Sequence, residues 1–165
     1  MLKILSLSLP EVLARIGMAI VCGAALGLNR DFYKKPAGLR TFSIVSLASA
    51  TVSLVMVELS GGDVGGVSRT VQGILTGIGF LGAGVIMHGD TGSKKVSGLT
   101  TAAAVWLAAV LGITCGLGLL QLAAIVLASA LAILTLGRPI ERWLKGLIAP
   151  RHSTRVSEGG APRER

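Results

Sequence analysis

Charge is scarce in this chain. Asp, Glu, Lys and Arg make up only 15% of its 165 residues, whereas a soluble domain carries roughly 25%. An ordinary soluble enzyme is therefore not expected. Cysteine is almost absent, with Cys22 and Cys115 the two examples, and this excludes a disulfide scaffold. Histidine is equally rare, as His88 and His152. No nucleophile, base and orienting group stand together, and no carboxylate cluster suited to magnesium is visible. Neither catalysis nor a resident metal or cofactor is expected. Apolar residues, by contrast, reach 52%, glycine contributes 23 positions, and mean hydropathy is +0.74. That composition excludes a disordered protein. A net charge of +8 would suggest nucleic acid if it covered a soluble core. Here the charge avoids the middle of the chain: between Thr41 and Gly137 the only basic residues are Arg69, Lys94 and Lys95.

The apolar runs have lengths near those a bilayer requires. Five spans are expected: Glu11 to Asn29, Thr41 to Leu59, Val71 to His88, Leu99 to Cys115, and Leu117 to Leu136. The division between the fourth and fifth rests on Gly112, Gly116 and Gly118 alone, with one long broken helix as the alternative. The expected fold is thus an all-α polytopic bundle. Basic residues orient it. Arg30, Lys34, Lys35 and Arg40 follow the first span, Lys94 and Lys95 follow the third, and Arg138, Arg142 and Lys145 follow the fifth. The N-terminus is therefore expected outside and the C-terminus in the cytoplasm. No cleaved signal peptide is expected, because Glu11 and Arg15 interrupt any early apolar region. The two cysteines lie inside spans and read as small buried side chains.

Residues 1–137 form the expected membrane domain. In 138–149, Ile140, Trp143, Leu144, Leu147 and Ile148 recur at spacings of three and four. This pattern suggests an amphipathic helix on the inner leaflet, with Pro139 in its first turn. Residues 150–165 read as a disordered basic tail.

Two segments repeat. Residues 34–48 read KKPAGLRTFSIVSLA and residues 94–108 read KKVSGLTTAAAVWLA. Each is expected to be an inner loop opening into a span, with lysines meeting anionic headgroups, Gly making the turn and Thr capping the new helix. Two parallel helical hairpins plus one further helix would follow. Gly77, Gly79 and Gly82 satisfy a dinucleotide fingerprint, but they lie inside an apolar span with no preceding strand. Close helix contact is the better reason for them. The same holds for the GxxxG pairs Gly23 and Gly27, Gly73 and Gly77, and Gly112 and Gly116. Arg15 and Glu58 are intramembrane charge candidates, set against their nearness to an interface, where Arg15 has Glu11 one turn away. Asp63 and Arg69 are assigned to the outer loop, and His88 and Asp90 to an inner one, too far apart to form one site.

The segments LGLNRD (26–31), KPAGLRT (35–41), QGILTGIGFLGAGVI (72–86) and VSGLTTAAAVWLAAVLGITCGLG (96–118) resemble the MgtC/SapB family of bacterial membrane proteins. The resemblance covers about residues 11–137 and corresponds to a short form without the C-terminal regulatory domain of better-known members. It implies an inner-membrane protein linked to magnesium limitation and membrane energetics, with the rotary ATP synthase among the partners it suggests. Carried over by position, its motif residues are Arg30, Gly38, Arg40, Thr41, Arg69, Gly73, Gly77, Gly79, Gly82, Gly84, Gly98, Leu99, Thr100, Thr101 and Trp106. Two positions depart from the family pattern. Asp31 stands where Glu is usual, and Gly66 stands where many members have an acid, with Asp63 further back. A non-enzymatic regulator or scaffold is the expected function, with anionic inner-leaflet lipid, a second copy or another membrane protein as partner. A small cation or solute transporter or channel subunit is the alternative. Nucleic acid is not an expected partner.

Overall fold

The computed structural model describes residues 7–87 and 98–148. Among these, all regular structure is helical, in five helices each long and apolar enough to cross a membrane. They are α1 (Leu9–Phe32), α2 (Leu39–Ser60), α3 (Val64–Met87), α4 (Leu99–Gly116) and α5 (Leu120–Ile148). His88, Asp90, Lys94, Lys95, His152 and the expected tail at 150–165 lie outside the described residues.

Local chemistry explains where each helix begins and ends. Pro10 sits in the first turn of α1, where its missing N–H costs nothing, with Glu11 beside it and Arg30 in the last turn. Both charges complement the helix dipole. Asp31 then reaches across the loop, and its Oδ2 accepts the Leu39 N–H at 2.9 Å. The carboxylate occupies the space that a side chain at Gly38, the N-cap of α2, would need. Asp31→Ala should lower stability by about 1 kcal/mol, the usual worth of an N-cap acceptor. Thermal unfolding in detergent checks this, and Asp31→Asn should recover most of the loss.

Helix α3 starts at Val64, seven residues before the expected Val71. Asp63 is the reason: its two carboxylate oxygens accept the N–H groups of Gly65 (2.9 Å) and Gly66 (3.0 Å), capping a turn that hydropathy alone does not reveal. Arg69 is consequently a residue of α3 and not of the outer loop.

The end of α4 resolves the break with α5. Gly118 adopts φ +82°. Its N–H donates to Cys115 O at 2.9 Å, and the Leu119 N–H donates to Thr114 O at 3.0 Å. This paired closure requires a left-handed residue at the glycine. The fourth and fifth spans are therefore separate helices. Helix α5, in turn, runs through Pro139 to Ile148 without interruption, so residues 138–148 continue the fifth helix instead of starting a new element.

Helices α2 and α4 form the centre. Helix α1 packs chiefly on α2, α3 chiefly on α4, and α5 against α1 and α4. The core joins Ala19, Cys22 and Leu26 of α1 to Phe42, Val45 and Ala50 of α2 and to Val105, Ala108, Leu111 and Cys115 of α4. Cys22 and Cys115 are free and both buried in this core. Outward faces carry exposed Val21, Ile44, Val52, Ile125 and Ile133, a surface suited to acyl chains. Both copies of the repeat run into the second helix of a hairpin, with Gly38 and Gly98 as N-caps. The threonines do not cap. Thr41 and Thr101 are each the third residue of their helix, because glycine already holds the cap position.

Candidate functional site

The glycine pairs divide into two groups. A methyl group added at Gly23 would lie 2.5 Å from Phe42 O, and one added at Gly27 would lie 2.5 Å from Leu39 Cα. At Gly112 and Gly116 it would collide with the carbonyl oxygens of Ser46 and Ala50. These four glycines bring α1 and α4 onto the backbone of α2, where packing replaces the missing hydrophobic drive between helices in lipid. Helix α3 differs. A methyl group added at Gly73, Gly77, Gly79 or Gly84 would meet nothing within 4 Å, and at Gly82 it would meet a single neighbour, Ala102 Cβ at 3.7 Å. The contact expected at Gly73 and Gly77 is therefore absent among the described residues. The spacing explains it: Gly73, Gly77, Phe80 and Gly84 share one face, while Ile74 and Ile78 turn to the core. Phe80 on the open face is 82% exposed.

At the end of the bundle where α1 begins, Arg15 Nη1 donates to Gly116 O at 3.0 Å, and Nη2 pairs with Glu11. The guanidinium also packs beside Gly118. It thus satisfies the carbonyl end of α4, a favourable place for a cation. Glu58 is half-buried near the end of α2. Arg69 is exposed, 3.8 Å from Asp63 Oδ2. Asp63 thus places a carboxylate in the neighbourhood of Arg69.

The opposite end gathers the remaining motif residues. Arg30 is only 4% exposed, and its Nη2 donates to Thr101 Oγ1 at 3.0 Å, tying the end of α1 to the start of α4. Gly98 has φ +86°, and a methyl there would lie 2.9 Å from Val85 O. Leu99 and Thr100 are exposed beside it, Arg40 and Thr41 lie exposed at the start of α2, and Trp106 is exposed further along α4. A cavity of about 630 Å³ opens at this end, bounded by Arg30, Lys34, Lys35 and the first turn of α4. Sequence reading passed over Asn29, whose Oδ1 is buried without a hydrogen-bond partner among the described residues. It also passed over Ser46, Ser49 and Ser53, a buried stripe facing the α4 glycines. Their spacing of three and four was the available signal.

Five apolar helices among the described residues, with α1 and α4 held on α2 through glycine and serine contacts, define a multi-pass membrane protein. The MgtC family model matches residues 16–143, and the chain belongs to that family. Protein SrpB of Synechococcus elongatus is 44% identical over 117 residues, 66% of this chain and 64% of that protein. Protein MgtC of Brucella abortus is 36% identical over 137 residues, 83% of this chain and 56% of its own. Protein SapB of Bacillus subtilis is 34% identical over 115 residues, 66% of this chain and 49% of its own. The chain thus spans about half to two thirds of the length of these relatives. No solved structure matches it.

Proposed function

We propose that this chain is a non-enzymatic regulator or scaffold of the bacterial inner membrane, with its C-terminus in the cytoplasm, and that it docks another transmembrane helix on α3. The observation that carries this reading is the open glycine face. A methyl group at Gly73 or Gly77 would meet no described atom within 4 Å, and α3 has no buried residue among those described. Each such glycine costs up to about 1 kcal/mol of helix propensity, a cost without return in an isolated chain. A helix arriving at that face gains close backbone approach. The occupant is a second copy or another membrane protein, with the rotary ATP synthase the partner suggested by the family resemblance. The physiological setting is adaptation to magnesium limitation.

Gly77→Leu tests the docking face. Its Cβ meets no described atom within 4 Å, so the monomer should remain folded while partner recovery from membranes of magnesium-starved cells falls about fivefold or more, as overpacking costs of roughly 1–3 kcal/mol imply. Unchanged recovery would remove the reading. Cellular ATP in a deletion strain then tests the link to membrane energetics. The transporter alternative is weakened by Arg15, which is engaged with Gly116 and Glu11 and is not presented to a path. Ion movement through purified protein in liposomes would restore it.

A further inference from the structure

The outward face of α3 carries a knob as well as gaps. Phe80 follows Gly77 by three positions and precedes Gly84 by four, so its ring stands level with the space between them. The ring is exposed, and a methyl added at either glycine would meet no described atom within 4 Å. One face thus presents a bulky side chain and, at the same height, the hollow that such a side chain would fill. A polar group lies next to it. Gln72 is exposed beside Gly73, more than two turns into an apolar helix. Its amide offers both a donor and an acceptor, which is costly in hydrocarbon unless another polar group meets it. At the end where α3 begins, the rim holds one exposed charge of each sign, Asp63 and Arg69.

We propose that α3 pairs in parallel with α3 of a second copy of this chain, each Phe80 seated between the other copy's Gly77 and Gly84. Two copies inserted in the same orientation are related by a two-fold axis along the membrane normal, which sets identical residues at equal height. Ring and hollow then match reciprocally. The two rings also come within reach of each other, a favourable aromatic contact. The same axis brings two Gln72 amides together, and an amide is its own complement. The rim is neutral as a whole, so the copies meet there without net repulsion. A different helix would have to supply a knob at this height and a polar partner for Gln72, whereas symmetry supplies both. This pairing rests on the reading of α3 as the docking helix and commits it to one occupant.

The test uses the full chain reconstituted in phosphatidylcholine vesicles, with donor- and acceptor-labelled copies. Energy transfer is followed as the lipid is diluted. The wild type should form a reversible dimer. Gly77→Leu fills the hollow and Phe80→Ala removes the knob, and each should raise the dissociation constant about fivefold or more. Ile125→Ala, a truncation on the exposed face of α5, should change it by no more than about twofold. Oxidative cross-linking in membranes supplies a measurement that spares the glycines and Phe80. Thr76→Cys lies on the proposed face and should give a covalent dimer, while Ser129→Cys, exposed on α5, should not. A monomeric wild type at every dilution, unchanged association in both face variants, or equal cross-linking of the two cysteine variants overturns the proposal. If the wild type is monomeric and Gly77→Leu still loses a partner from membranes, self-pairing falls and docking of a different protein on α3 stands.

Discussion

Gly112→Ala should destabilise the folded bundle by at least about 3 kcal/mol, the upper range for overpacking a tight interface. The added methyl would fall on the Ser46 carbonyl oxygen and also lie 2.9 Å from Ser49 Cβ. Neither obstacle is the tip of a flexible side chain, so α2 and α4 must move apart. Gly116 makes the same approach one turn later, against Ala50 O and Ser53 Cβ, and the whole seam is expected to open. Steric-trap or detergent-titrated unfolding measures the loss. Gly73→Ala supplies the contrast. It meets open space and should be neutral, or more stable by up to about 1 kcal/mol through helix propensity. Equal stability of Gly112→Ala and wild type would mean that the α2–α4 contact is looser than described.

The second large effect is expected at Gly98. A β-branched residue at positive φ is a backbone outlier, with a cost of about 1–2 kcal/mol from the left-handed conformation alone. Gly98→Val adds a clash, since its Cβ would sit 2.9 Å from Val85 O. The yield of folded protein and its melting temperature should both fall, and Gly98→Asn should be milder because Asn tolerates the left-handed region. The damage reaches further than one turn. Displacing the start of α4 moves Thr101 away from Arg30, so the two hairpins lose a direct link at this end.

The fold was legible in the sequence because lipid imposes a crude rule that hydropathy reads well. Helix ends were less legible, since they depend on single polar atoms. Asp63 adds turns to α3 that carry no apolar signal, and Asp31 rather than a threonine caps α2. Glycine content announced close packing but not its direction. The spacing of Gly23, Gly27, Gly112 and Gly116 predicts contacts, and each makes one. Gly73 and Gly77 have the same spacing and face outward, because only the positions of Ile74 and Ile78 decide which side of α3 meets the core. Arg15 shows the same limit. Its depth suggested a functional charge, whereas its position beside the carbonyl end of α4 could not be known before α1 and α4 were placed together. The basic loop residues were visible as a set, but the cavity they border needs α5 as its far wall.

Helix α5 is 29 residues long, or about 43 Å at the usual rise, against a hydrocarbon layer of about 30 Å. Upright in the membrane, such a helix would leave roughly two of its turns beyond the acyl region, with Trp143 exposed near the tip. The same rod carries Ile133 and Leu134 into the cavity wall. A load applied to those turns from the aqueous side would be transmitted by leverage to that wall.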